Sequence, residues 1–161
     1  MAVNLIDVLG SDLTVVNSAR VSFDNHHEKF TDTDANLIKY LATHGHWTPF
    51  GHPQIQIRLS APIFVARQLV KHQVGLVWNE ISRRYVDTDP VFLSPKEWRE
   101  KSETKKQGSS DGLIDLTLME RRKIDQAQTD ALSTYKMLIS KNVAPEQARM
   151  VLPQSMFTEW Y

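Results

Sequence analysis

Residues 66–85 read ARQLVKHQVGLVWNEISRRY. This stretch carries most of the side chains that suit an anion or a cofactor. Its first half follows Pro62, a residue suited to the first position of a helix, and apolar residues recur at three- and four-residue spacing from Ile63 to Val70. We therefore predict a helix that begins at Pro62 and fades near Gly75.

The second half of the stretch concentrates charge. A carboxylate, a hydroxyl and two guanidiniums fall within five positions, from Glu80 to Arg84. An arginine fork beside a hydroxyl suits a phosphate, because charge-assisted bidentate hydrogen bonds are stronger and more directional than neutral ones. If Arg83 and Arg84 are extended, they point to opposite faces, so that only one of them contacts a given phosphate. The alternative is a solvated arginine pair beside a surface glutamate.

The N-terminal third contains two strands and a helix in our prediction. Val3 to Val16 alternates imperfectly and breaks at Gly10, which indicates a short strand, a turn and a second short element. Residues 31–34 supply N-caps for an amphipathic helix that Gly45 ends. Gln54 to Ser60 alternates cleanly between apolar and polar residues, as a half-buried strand does.

Downstream of the central stretch, the pattern turns from short elements to helices. Residues 91–93 are predicted as an edge strand or a packed loop, and residues 96–112, rich in Lys, Glu, Ser and Gly, as an exposed mobile loop. Apolar residues at three- and four-residue steps predict a long amphipathic helix over 113–142. Pro145 begins another helix, and the large apolar residues of 156–161 follow helical spacing, which leaves an apolar face uncovered.

These elements predict an α+β fold in one domain over residues 1–161, with a mostly antiparallel sheet flanked by helices. The chain has 41% hydrophobic residues, and its 19 basic and 19 acidic side chains cancel. No global field therefore attracts nucleic acid or an anionic membrane. There is no cysteine, no signal peptide and no apolar run long enough to span a membrane. We expect a cytoplasmic protein.

Three of the six histidines cluster at positions 44, 46 and 52. Imidazoles bind zinc, but such a site needs further ligands and supporting hydrogen bonds. No pair of acidic residues at helical spacing completes it. We predict no metal and interpret the cluster as a loop of hydrogen-bonded histidines after a helix cap. The alternative is a metal-dependent hydrolase.

The spacing around His72 resembles the signature of the flavin-dependent thymidylate synthases. In that family Arg-His-Arg is followed seven or eight residues later by serine. Here Lys71 and Gln73 flank His72, and eight residues separate Gln73 from Ser82. The resemblance continues in three further segments, ARVS at 19–22, HGHWTPF at 44–50 and ARMVLP at 148–153.

The resemblance implies reductive methylation of dUMP to dTMP by a homotetramer. Methylenetetrahydrofolate gives the methylene group, and reduced FAD, recharged by NADPH, gives the hydride, which protein side chains cannot supply. The absence of cysteine is compatible with this route, because the unrelated thymidylate synthases use a cysteine thiolate as nucleophile. The alternative is a non-catalytic oligomer that binds flavin or nucleotide.

Two sets of residues are carried over from the family. For dUMP they are Gln68, Leu69, Val70, Lys71, Glu80, Ile81, Ser82, Arg83, Arg84 and Arg149. For FAD they are Ser22, His46, Thr48, Lys71, His72, Gln73 and Glu80. Arg149, a contact to the pyrimidine nucleotide, is also the predicted catalytic residue. Ser82 and Arg84 are the predicted phosphate ligands.

The chain departs from the family pattern at several positions. Lys71 and Gln73 stand where the family has arginine, so that Lys71 keeps the charge but loses the fork and Gln73 loses the charge. Gly51 stands where the family has an acidic flavin contact. The family pattern also continues past Tyr161 with a helical segment that carries asparagines for FAD and an arginine for the pyrimidine ring. We therefore expect the chain to be a fragment shortened at its C-terminus. The alternatives are that a partner supplies the missing segment, or that the chain binds without turnover.

Overall fold

The computed structural model describes residues 1–86 and 88–161. The chain forms two compact units. The first unit comprises Ser60–Lys71 and Glu80–Trp160, together with Met1. The second unit comprises Ala2–Leu59 and His72–Asn79, together with Tyr161.

The second unit contains a strand, two helices and most of a second strand. Its elements are β1 (Ala2–Leu9), α1 (Asp12–Arg20), a 3-10 turn at Val21–Phe23, α2 (Asp32–Thr43), a 3-10 turn at Thr48–Gly51, and β2 (Gln54–Pro62) as far as Leu59. Gly10, at φ +81°, turns the chain between β1 and α1. The predicted strand, turn and second element are therefore confirmed.

The core of this unit lies between α1 and α2, which pack against each other. Val15, Val16 and Leu41 are buried there. The predicted helix between its N-caps at 31–34 and Gly45 is confirmed as α2, and Gly45 follows its last turn in the left-handed conformation at φ +69°. In β2 the predicted burial of one face is only partial, because Ile55 is 68% exposed.

A buried carboxylate joins the two helices. Asp34 has no solvent exposure and accepts hydrogen bonds from the Arg20 guanidinium at 2.9 Å and from the backbone N–H and hydroxyl of Thr31 at 3.0 and 2.8 Å. The Nδ1 atom of His27 lies 3.0 Å from it. Burial alone would raise the pKa of Asp34, but the hydrogen bonds from His27, Thr31 and Arg20 together hold that pKa well below its usual range. Arg20 is therefore paired with a buried carboxylate.

The first unit is built around a long helix and a short strand. Its elements are the end of β2, α3 (Ile63–Leu69), β3 (Trp98–Lys101), β4 (Ser109–Ile114), α4 (Leu118–Ser140), α5 (Pro145–Ala148), a 3-10 turn at Arg149–Val151, and β5 (Phe157–Trp160). β3 and β4 form an antiparallel two-stranded sheet. The order of the other strands is β1-β2-β5. The predicted α+β class, with helices and antiparallel pairing, is confirmed.

Residues 154–160, which we call the β5 segment, support several parts of the first unit. The backbone N–H of Ile63, at the start of α3, donates to the Met156 carbonyl at 2.8 Å. The N–H of Leu93 donates to the Ser155 carbonyl at 2.9 Å. Because residues 91–93 pair with the β5 segment in this way, the prediction of an edge strand or packed loop there is confirmed.

Two predicted helices are shorter than expected. α3 ends at Leu69 and not near Gly75, because all side chains of residues 67–77 are exposed. A short helix without a buried face is marginal in water. α4 begins at Leu118 and not at residue 113, since residues 113 and 114 belong to β4.

Two other segments form a different type of secondary structure from the predicted one. Within residues 96–112 the structure has β3 and most of β4, whereas we expected a loop, although most of these side chains are exposed as expected. The apolar residues of 156–161 form a strand and not a helical turn, and Met156 and Trp160 are buried, at 5% and 2% exposure. The prediction of an uncovered apolar face there is wrong.

Within the described residues, no helix has the length and apolar character needed to cross a membrane.

Candidate functional site

The two predicted phosphate ligands meet in one turn of the first unit. The carbonyl of Ser82 accepts hydrogen bonds from the N–H groups of Tyr85 at 3.0 Å and Val86 at 3.2 Å. Its hydroxyl oxygen accepts from the backbone N–H of Arg84 at 3.3 Å and from Arg84 Nε at 3.4 Å. The hydroxyl of Ser82, a half-buried residue, and the guanidinium of Arg84, an exposed residue, therefore lie side by side in one turn.

The Tyr85 ring contacts this guanidinium. The Arg84 guanidinium carbon lies 5.2 Å from the centre of the Tyr85 ring, a distance at which a cation is attracted to an aromatic face. Arg83 takes a different direction and donates to the carbonyl of Thr88. The two arginines thus lie in a turn and are not extended. The prediction that they point to opposite faces assumed an extended backbone and does not apply.

Glu80 precedes this turn and is held by β5. It forms an antiparallel bridge with Trp160, and the next residue, Ile81, donates its N–H to the Glu159 carbonyl at 2.9 Å. The carboxylate oxygen Oε1 of Glu80 accepts a hydrogen bond of 2.6 Å from the hydroxyl of Thr158. Both the backbone and the side chain of Glu80 are therefore attached to one buried strand.

The contact of Thr158 with Glu80 was not predicted from the sequence. The Thr158 side chain is 5% exposed, and Thr158 stands between half-buried Phe157 and Glu159. The signal was the alternation in Phe-Thr-Glu-Trp at 157–160, which fits a strand with Thr158 and Trp160 on one face. We interpreted the same residues by helical spacing, under which the threonine has no partner.

The other residues predicted for dUMP share the first unit with this turn. Gln68 and Leu69 lie in the last turn of α3, and Val70 and Lys71 follow it, all exposed. Arg149 is exposed in the 3-10 turn after α5. Its neighbour Ala148 is fully buried, and this turn packs on α4. None of these five belongs to the turn at Ser82.

The residues predicted for FAD are divided between the two units. Lys71 and Glu80 belong to the first unit. The other five belong to the second unit and are all exposed, namely Ser22, His46, Thr48, His72 and Gln73. Their roles stay predictions.

Within the second unit, His46 lies beside an apolar cavity of about 330 Å³. The cavity is lined by Leu41, Ala42, Gly45, His46, Trp47 and Phe50. The His46 N–H donates to the carbonyl of Leu41 at 2.9 Å, and the His46 ring stacks with the ring of Tyr40, with centres 6.1 Å apart. In the part of the chain that the structure describes, no three His, Cys, Asp or Glu side chains are grouped to hold a metal ion.

Comparison with known proteins decides the family. The family model described as thymidylate synthase complementing protein matches residues 4–161. The chain belongs to the Thy1 family. The resemblance to the flavin-dependent thymidylate synthases found in the sequence is thereby confirmed.

Relatives of this Thy1 chain include two bacterial proteins named flavin-dependent thymidylate synthase. A protein from Thermus thermophilus is 41% identical over 99% of this chain and 57% of its own length. The protein from Thermosipho africanus is 37% identical over 98% of this chain and 68% of its own length. The chain thus spans little more than half of the Thermus protein.

A solved structure shares the fold. The crystal structure of the UMP/dUMP methylase PolB from Streptomyces cacaoi, bound with 5-Br dUMP, has a TM-score of 0.84 and 31% sequence identity to the Thy1 chain. The match covers 99% of this chain and 70% of that chain.

Proposed function

We propose that this chain is part of a flavin-dependent thymidylate synthase that reductively methylates dUMP to dTMP. One observation carries the proposal: the hydroxyl of Ser82 and the guanidinium of Arg84 are joined in a single turn, where Arg84 is exposed. Membership of the Thy1 family and the relatives' names support the reaction. The likeness to a UMP/dUMP methylase supports the pyrimidine nucleotide as substrate.

The turn at Ser82 is the proposed phosphate site. A phosphate accepts hydrogen bonds from a guanidinium fork in a fixed plane, and a serine hydroxyl adds one more donor. Tyr85 contacts the guanidinium from one side, which favours one orientation of the fork. In this proposal the contact of Arg84 Nε with Ser82 gives way to contacts of both groups with the phosphate.

The remaining nucleotide residues of the proposal surround the base and sugar. We assign this role to Glu80 and Ile81 before the turn, to residues 68–71 after α3, and to Arg149. Arg149 is the proposed catalytic residue, since a guanidinium at the pyrimidine stabilises the negative charge that develops on the ring. Arg83 is proposed to contribute through its backbone, because its side chain donates to Thr88.

The exposed residues predicted for FAD in the second unit form a suitable donor set. Histidine, threonine and glutamine at positions 46, 48, 72 and 73 are polar and accessible, and such groups hydrogen-bond a flavin ring or a pyrophosphate. When bound, FAD supplies the hydride that reduces the transferred carbon. NADPH, methylenetetrahydrofolate, the homotetramer and the cytoplasmic location are parts of the proposal that rest on the resemblance.

Nucleotide binding tests the proposal directly. We expect dUMP to bind the chain in isothermal titration calorimetry and deoxyuridine to bind much more weakly. Arg84→Lys and Ser82→Ala remove the fork and the hydroxyl, and each should weaken dUMP binding roughly tenfold or more while hardly changing deoxyuridine, since hydrogen bonds to charged groups contribute about 1.5–3 kcal/mol. UMP is titrated in parallel, because PolB is named for both nucleotides.

The matched control is Arg122→Lys, an exposed arginine of α4, which should leave dUMP binding unchanged. Absence of dUMP binding to the chain would refute the proposed substrate. Equal affinities for dUMP and deoxyuridine would refute the phosphate site.

Turnover is measured separately from binding. The chain is incubated with FAD, NADPH, methylenetetrahydrofolate and dUMP, and thymidylate is quantified by chromatography. Thymidylate that depends on FAD supports the enzyme. Nucleotide binding without thymidylate favours the non-catalytic binder, the alternative that the replacements at Lys71 and Gln73 suggest.

A further inference from the structure

We propose that Thr158 is a positioning residue that holds the Glu80 carboxylate in the orientation needed for the nucleotide. This inference rests on the proposed function, in which Glu80 contacts dUMP. Thr158 lies on β5, and no motif in the neighbouring sequence indicates a role in the candidate site. Its role is seen only in its contact with Glu80.

The contact has the geometry of a strong hydrogen bond. The Thr158 hydroxyl donates to Oε1 of Glu80 at 2.6 Å, within the range of charge-assisted O–H···O⁻ bonds. Thr158 is 5% exposed, so that water competes little for its hydroxyl. A β-branched residue in a strand has few rotamers, and the donor is therefore fixed by the backbone of β5.

The acceptor is fixed from the other side. Glu80 forms a β-bridge with Trp160, which is 2% exposed, and the N–H of Ile81 donates to Glu159. The backbone of Glu80 therefore cannot shift along β5 without breaking these bonds. With the backbone and Oε1 both held, the glutamate side chain keeps one orientation.

This orientation matters because glutamate is flexible. A glutamate on a surface loses considerable side-chain entropy when a ligand fixes it. A carboxylate that is already held loses less, and the affinity for the ligand rises accordingly. The groups of dUMP that can donate to a carboxylate are the N3–H of the uracil ring and the 3′-hydroxyl, and Glu80 suits either of them.

The test is a double-mutant cycle on dUMP affinity. Thr158→Val keeps the shape and the strand preference but removes the hydroxyl, and Thr158→Ser keeps the hydroxyl. We expect Thr158→Val to weaken dUMP binding about tenfold, as for loss of a hydrogen bond to a charged group, and Thr158→Ser to restore most of it. In a Glu80→Ala background, which removes the acceptor of the Thr158 hydroxyl, Thr158→Val should change affinity by less than about twofold, because coupled residues are not additive.

Urea denaturation of each variant separates positioning from stability. If Thr158 only stabilises the fold, Thr158→Val weakens dUMP binding equally with and without Glu80, and the proposal is overturned. Unchanged affinity in Thr158→Val also overturns it. If Val is not tolerated at this position, Thr158→Ala is compared with Thr158→Ser in the same two backgrounds.

The control variant is Thr129→Val, whose hydroxyl donates to the Asp125 carbonyl on the exposed side of α4 at 2.9 Å. It should leave dUMP affinity unchanged. A wild-type chain that binds no dUMP refutes the proposed function and with it this role. A wild-type chain that binds dUMP, with an insensitive Thr158→Val variant, refutes the role of Thr158 alone.

Discussion

Truncating Trp160 should destabilise the protein far more than truncating any exposed tryptophan. The Trp160 side chain is 2% exposed. A tryptophan that buries about 150–250 Å² gains about 4–6 kcal/mol at about 25 cal/mol per Å², as an upper bound. Measured truncations of buried aromatic residues to alanine cost about 3–5 kcal/mol. Because domains are stable by only about 5–15 kcal/mol in total, Trp160→Ala should remove a large share of the stability.

The assay is urea denaturation monitored by far-UV circular dichroism, a signal that does not depend on tryptophan fluorescence. We expect the free energy of unfolding of Trp160→Ala to fall by about 3–5 kcal/mol and the melting temperature to fall by roughly 10 °C, at about 2–4 °C per kcal/mol. The matched control is Trp47→Ala. Trp47 is 71% exposed, and its loss should change the free energy of unfolding by less than about 0.5 kcal/mol.

The two tryptophans make the comparison decisive. If Trp160→Ala loses less than about 1 kcal/mol, or no more than Trp47→Ala, then β5 is not the buried strand described above. A changed slope of free energy against urea would indicate instead that the compactness of one state has changed.

Two further predictions concern the second unit. Because hydrogen bonds hold the pKa of Asp34 in the folded state below its value in the unfolded state, the stabilisation by Asp34 is complete above about pH 4 and is lost as the pH falls toward the lowered pKa. The urea midpoint should therefore fall less between pH 7 and pH 3 in Asp34→Asn than in wild type, and an equal fall in both would contradict this. Gly10→Ala should lower the melting temperature, because Gly10 has φ +81° and an added Cβ would lie 2.8 Å from the Thr14 hydroxyl. In the control Gly51→Ala, the added Cβ meets no atom within 4 Å, and the melting temperature should hardly change.

Much of the fold could be predicted because its signals are local. The N-caps of α2 and the glycine that follows it depend on residues adjacent in sequence, and so does the turn at Gly10. The clean alternation of Gln54 to Ser60 indicated the strand β2 in the same way. Such signals are decided by backbone conformation and side-chain hydrogen bonds within a few residues.

The errors concern elements that are decided by distant partners. Met156, Phe157, Trp160 and Tyr161 fit the spacing of a helix as well as that of a strand, and a short apolar segment is ambiguous by periodicity alone. It forms bridges with residues 80 and 92, partners that its own sequence does not indicate. α3 stopped early for the opposite reason, since the residues that follow it are exposed and have no buried face.

In the candidate site, the proximity of Ser82 and Arg84 could be predicted from the sequence, but the arrangement of the side chains could not. The spacing of His72 and Ser82 pointed to the family, and Ser82 and Arg84 are indeed joined. The turn that separates Arg83 from Arg84 was not visible, because the carbonyl of Ser82 and that of Thr88 select the conformation. The alternation at 157–160 could have placed Thr158 in a strand but not against Glu80, since this partner lies 78 residues away.

That separation has a consequence for the order of folding. The hydrogen bond between Glu80 and Thr158 spans 78 residues, and the start of α3 and residues 91–93 pair with the same β5 segment. Contacts between distant residues form slowly, because the loop between them must close before it is stabilised. During synthesis on the ribosome, the hydrogen bond between Glu80 and Thr158 can therefore form only after the β5 segment has emerged, so that this part of the proposed nucleotide site is completed late.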